Sequence, residues 1–183
     1  MRKLYFLLTI LLFSSCGPEP FPKPKAFLNL EYEDQQYTPL LLERPYGFEV
    51  PQSSIVEDEP KKWLKIHYPQ LKASLDITYR NVDGNLRELL VESEKLVFKH
   101  TVKAEQISSN DYTNDERKVY GTLYEITGNT ASQIQFHITD STRNFIKGAL
   151  FFNIKPNFDS VLPAVAHIKK DVLHIMETFE WKN

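Results

Sequence analysis

Cysteine occurs once in the 183 residues, at position 16, so no intrachain disulfide can staple the fold and stability has to come from a core. Clusters of Lys and Arg are missing too. With 22 basic residues against 24 acidic ones, the chain lacks the electrostatic footprint that nucleic acid or an anionic lipid surface requires, and both are excluded as main partners. The longest apolar run, residues 4–13, would be about 15 Å long as a helix against a hydrocarbon core of about 30 Å, too short to span. There is no H-E-x-x-H, no G-x-S-x-G, and no zinc-like spacing among the histidines at 67, 100, 137, 167 and 174, so no metal and no cofactor is implied. No βαβ rhythm appears, which excludes a doubly wound parallel sheet.

What is present begins at the N-terminus, "MRKLYFLLTILLFSSCGPEPFPKPK". Arg2 and Lys3, then ten apolar residues, then Ser14 and Ser15 follow the order of a secretory signal peptide with a small-residue cleavage site. A cysteine directly after such a site resembles the lipobox of bacterial lipoproteins, in which the thiol is joined to diacylglycerol and the new N-terminus is acylated. Phe13 departs from the usual Leu of that pattern. Cys16 is therefore the expected lipidation site; two or three acyl chains anchor firmly where one holds only marginally. Prolines at 18, 20, 22 and 24 then favour an extended path of about 3.1 Å per residue. The expected organisation is a signal peptide over 1–15, a lipidated Cys and Pro-rich stalk over 16–26, and one globular domain over 27–183. Removal of residues 1–15 leaves 20 basic against 24 acidic residues, a formal charge of −4.

Periodicity supplies the elements of the domain. "LKASLDITYR" alternates strictly, with Leu71, Ala73, Leu75, Ile77 and Tyr79 on one face, and predicts a half-buried strand paired through Pro69-Gln70 with "KKWLKIHY". After "NVDG", Asn85 with Glu88 reads as a capping box opening a helix along Leu86, Leu89, Leu90, Leu96 and Val97. "ISSNDYTNDER" and the acidic "VEDEP" read as solvated loops. "KVYGTLYEI", "ASQIQFHITD" and "FIKGALFFNI" predict a three-strand meander. In its last strand Phe145, Ala149 and Phe151 oppose Ile146, Leu150 and Phe152, so both faces need cover. A second helix, capped at Asp159 or Ser160 with Pro163 in its first turn, carries Leu162, Val165, Ile168, Val172, Ile175, Met176 and Phe179 as one stripe. "RPYGFEVP" reads as an edge strand entering the core. The fold class is α+β, a largely antiparallel sheet packed with two main helices, laid out like a PsbP/Mog1-type sandwich; strand order does not follow from the sequence.

Ser132, His137 and Asp140 invite a Ser-His-Asp reading, but positions 132 and 137 of one strand face opposite sides, which argues against it. "GNTAS" precedes a strand, not a helix, and so reads as a hairpin turn and not a phosphate cradle. No catalytic residue is assigned, and the chain is expected not to be an enzyme.

The segments "PKPKAFLNLEY", "WLKIHYPQLKASLDITY" and residues 119–181 together resemble the gliding motility lipoprotein GldD family. The resemblance implies a component of the gliding apparatus of certain Gram-negative bacteria, linked to type IX protein secretion, with other gliding and secretion envelope proteins as partners and the membrane reached through the lipid anchor. It assigns no residue beyond Cys16. Surface export of lipoproteins in such bacteria goes with acidic residues just behind the Cys, and Glu19 alone stands there, so a periplasm-facing orientation is expected. A different class stays open: an envelope lipoprotein binding a small ligand in a pocket between sheet and helix.

Overall fold

A computed structural model of the protein describes residues 32, 35–154 and 157–182. The strands are β1 (Tyr37–Pro39), β2 (Tyr46–Gly47), β3 (Glu49–Pro51), β4 (Ile55–Glu59), β5 (Trp63–Tyr68), β6 (Ala73–Asn81), β7 (Ala104–Asn114), β8 (Val119–Gly128), β9 (Ile134–Thr139), β10 (Asn144–Phe152) and β11 (Glu180–Trp181), with helices α1 (Leu86–Phe98) and α2 (Phe158–Thr178). Seven strands form one antiparallel sheet in the order β4-β5-β6-β10-β9-β8-β7, while β1 pairs with β3 and β11 with β2. This is the expected α+β class.

The order has a simple origin. The first meander, β4 to β6, ends at α1, which carries the chain to the far edge. The second meander then builds inward from β7 until β10 zips onto β6, with Leu150 opposite Leu75 and Ile146 opposite Tyr79. β10 is thus central, as its two apolar faces require. Gly148 lies in this strand with the ring of Phe136 on its core side: a Cβ there would stand 2.2 Å from Phe136 Cε1. Only hydrogen fits.

The main core lies between the sheet and α2. Leu64, Ile66, Leu75, Ile77, Phe136, Ile138, Ile146 and Leu150 meet Ile168, Val172, Ile175 and Met176, all buried; each such side chain contributes roughly 1.5–3 kcal/mol on burial. "RPYGFEVP" enters this core as expected. Tyr46, Phe48 and Val50 are buried, and Tyr46, Phe48 and Phe179 stack at 5.8–6.1 Å between ring centres.

Four local expectations need correction. "ISSNDYTNDER" is not a loop: residues up to Asn114 belong to β7, an eleven-residue edge strand. "VEDEP" is likewise mostly β4, the opposite edge. Both edges are paired on one side and solvated, so their polar side chains conceal the period of two. The capping box at α1 is not formed; Asn85 Oδ1 accepts instead from the Asp83 amide at 3.0 Å. α2 starts two or three residues earlier than expected, with Asn157 at the cap position, and Pro163 falls in its second turn. The "GNTAS" turn explains the early start, because Asn129 Oδ1 accepts the Phe158 amide at 2.8 Å and satisfies one of the first-turn donors.

Candidate functional site

The three residues of the hydrolase reading are committed elsewhere. The Ser132 hydroxyl is buried and donates to the Ile134 carbonyl at 3.0 Å. The Asp140 carboxylate holds the β9–β10 turn, accepting the amides of Thr142, Arg143 and Asn144 at 2.8–2.9 Å and Asn144 Nδ2 at 2.7 Å. Burial would raise its pKa, but these hydrogen bonds together hold it below the usual carboxylate range. His137 sits in the middle of β9 against Phe145 at 5.7 Å and Tyr124 at 6.2 Å. Its Nδ1 is buried without a partner, and desolvation pushes its pKa down to about 4 against the opposing charge of Asp111. No triad is assembled by these residues.

Two other histidines tie α2 to the N-terminal strap, residues 35–51, which carries β1 to β3. His167 meets Gln35 Nε2 at 2.6 Å, while His174 meets Glu49 at 2.7 Å and stacks on Tyr37. Between them Asp171 is fully buried and accepts the Tyr37 hydroxyl at 2.8 Å. Burial raises the Asp171 pKa, with Tyr37 opposing. These groups do share a helix face, and that face clamps the strap. His67 pairs with Glu57 at the β4 edge, and His100 falls in the turn after α1. Among the described residues no group of three His, Cys, Asp or Glu could hold a metal ion. Cys16 lies outside the described residues.

The remaining feature is the face of the sheet opposite α2. Register places Thr78, Lys147, His137, Thr122 and Asp111 in one row across five strands. The neighbouring row is Asp76, Ala149, Gln135, Tyr124 and Ser109. This face is largely polar. α1 covers it in part, packing Val97 on Tyr124 and Ile126 and burying Leu89 and Ser93. Where α1 leaves the sheet open, a groove of about 390 Å³ runs along Asp76, Thr78, Lys147, Gly148, Ala149 and Phe151, with Gln135 behind it and Leu96 and Lys99 on the helix side. A cavity of about 130 Å³ adjoins it at Thr78 and Lys147, bounded by Trp63, Arg80, Leu89, Glu92 and Phe145. Desolvation lowers the Lys147 pKa, opposed by Glu92. In the sequence, the alternation of "LKASLDITYR" shows only the β6 members of this face, Asp76 and Thr78; the groove itself depends on how far α1 reaches.

Fold and site together define a seven-stranded antiparallel sheet with one apolar face sealed by α2 and one half-open polar face, flanked by two short two-stranded pairings. The chain belongs to the gliding motility lipoprotein GldD family, whose model matches residues 17–181. The family is one of lipoproteins acting in gliding motility, which sets the protein at a membrane of the cell envelope by an anchor; among the described residues no helix is long and apolar enough to cross a membrane. No curated protein matches the chain. Among solved structures it is similar to cyanobacterial PsbP (CyanoP) from Synechocystis sp. PCC 6803, with 10% identity over 93% of this chain and 99% of that one, at a TM-score of 0.49.

Proposed function

We propose that the protein is a non-enzymatic component of the gliding machinery, linked to type IX secretion, and that it works by binding other envelope subunits. In this reading residues 1–15 are a signal peptide, Cys16 carries the lipid, residues 16–26 are a stalk and the domain faces the periplasm. The observation that carries the binding role is β7. Among the described residues this eleven-residue strand has a neighbour on one side only; its register irregularity is confined to Ala104–Gln106, and from Ile107 to Asn114 it contains no Lys, no Pro and Asp111 as its single charge. The opposite edge, β4, is five residues long, carries Glu57, Asp58 and Glu59, and stops at Pro60. An edge left this open over eight residues, 107–114, accepts an extended segment of a partner through main-chain hydrogen bonds. Tethering raises effective concentration, so modest contacts maintain an assembly.

Deleting the gene tests this. Surface gliding should be abolished and type IX secretion impaired, with wild type restoring both and a soluble, unlipidated version at native level restoring little. A deletion strain that glides and secretes normally would contradict the role, and full rescue by the soluble version would contradict the tether. The small-ligand reading also has one observation in its favour, the groove beside α1.

A further inference from the structure

We infer that the groove between α1 and strands β6 and β10 binds a single-chain amphiphile with an anionic head, of the fatty-acid class. The surface the groove presents is mostly apolar carbon. Ala149 keeps its floor low, and Phe151, 38% exposed, stands beside it without full cover from the chain. At about 390 Å³ the space is within the roughly 300–1,000 Å³ typical of small-molecule sites. An alkyl chain laid on Ala149 would cover Phe151 and Leu96 together. The Lys147 stem runs along the same wall, with its ammonium side chain still 24% exposed.

Charge selects the head group. Asp76 is already answered by Lys65 at 3.7 Å and by the Ser74 hydroxyl at 2.9 Å. Glu92 is shared by Arg80 at 3.8 Å and Lys147 at 3.9 Å. Lys99, exposed on the rim, has no acidic partner among the described residues. Arg80, Lys147 and Lys99 therefore stand against the single Glu92 carboxylate, an imbalance that attracts an anion and disfavours a cationic or neutral head. Binding of this kind is independent of pairing at β7.

The test uses the full chain in zwitterionic phosphatidylcholine nanodiscs, exposed separately to a diazirine-bearing dodecanoate and to the matching dodecanol, irradiated, and mapped by mass spectrometry. Adducts are expected on residues 96–99 and 149–151, about tenfold weaker in Ala149→Trp, with the alcohol labelling several-fold less than the acid. Lys99→Glu, at an exposed position, should keep the melting temperature and bring the acid down to the alcohol's level, which keeps the test decisive if Ala149→Trp destabilises the fold. Labelling scattered over the surface, equal for acid and alcohol, or undiminished in both variants would overturn the proposal. Because the readout is an adduct and not motility, its failure is distinct from failure of the assembly role.

Discussion

The sheet presents two faces built from the same strands, and they differ in what they can lose. Beneath α2, Ile146 and Leu150 of β10 and Ala73, Leu75 and Ile77 of β6 are buried in one apolar core, and the face is closed there. Beneath α1 the same strands offer Thr78, Lys147, Asp76 and Ala149, the helix covers part of them, and a groove remains. A closed apolar face holds the fold together; a polar face that stays half open is available for contact with something else. Alternation along each strand separates the two tasks by a single residue.

The adjacent residues Gly148 and Ala149 give the sharpest way to break this comparison. Gly148→Val pushes into Phe136 on the closed face and should cost about 3 kcal/mol or more, abolishing a folded product in denaturant titration. Ala149→Leu, one position on, points into the open groove and should change stability by less than about 0.5 kcal/mol. Equal costs would mean the faces are not distinct.

His137 tests the boundary of the open face by pH. Its folded pKa of about 4 lies below the unfolded value of 6.5, so between those values the unfolded chain binds a proton that the folded one refuses. Stability from keeping it neutral is therefore full above pH 6.5, falls as pH drops through the window, and levels off below pH 4 at a deficit of about 3 kcal/mol. His137→Phe, which keeps a ring between Phe145 and Tyr124, should remove that slope from a series of melts; an unchanged slope would place the titration elsewhere.

A smaller effect is expected where the closed face carries its buried acid. Tyr37→Phe leaves the Asp171 carboxylate without its hydrogen bond from the strap and should cost about 1–3 kcal/mol, read as a lowered melting temperature with the sheet intact. The smallest belongs to the rim: Lys99→Glu should leave stability within about 0.5 kcal/mol while reversing the local charge.

How much of this was legible depended on whether a residue's partner is near in sequence. The β5–β6 hairpin, the meander and the α2 stripe were readable because alternation and the 3.6-residue period survive wherever one face is buried. β7 and β4 read as loops because the apolar contacts of "ISSNDYTNDER" are limited to Ile107 and Tyr112 and those of "VEDEP" to Val56, too few to show alternation. Strand order was not readable, since β10 meets β6 across more than sixty residues. Asp171 sits in "KKDVLH" and looks solvated in one dimension; it is buried, and the hydroxyl it accepts belongs to Tyr37, 134 residues away in sequence. The groove depends on the length of α1 relative to the sheet, a quantity that no local pattern encodes.

Partner pairing at the β7 edge is tested most directly by crosslinked capture from membranes. Ser108→Pro and Ser109→Pro differ in which amide they remove: one breaks the ladder to β8 and lowers the melting temperature, the other removes a solvent-facing amide and leaves it within a few degrees. With the variant that keeps its stability, envelope proteins recovered with wild type should be lost and gliding impaired. Recovery of the same partners at the same yield, with normal gliding, would contradict it.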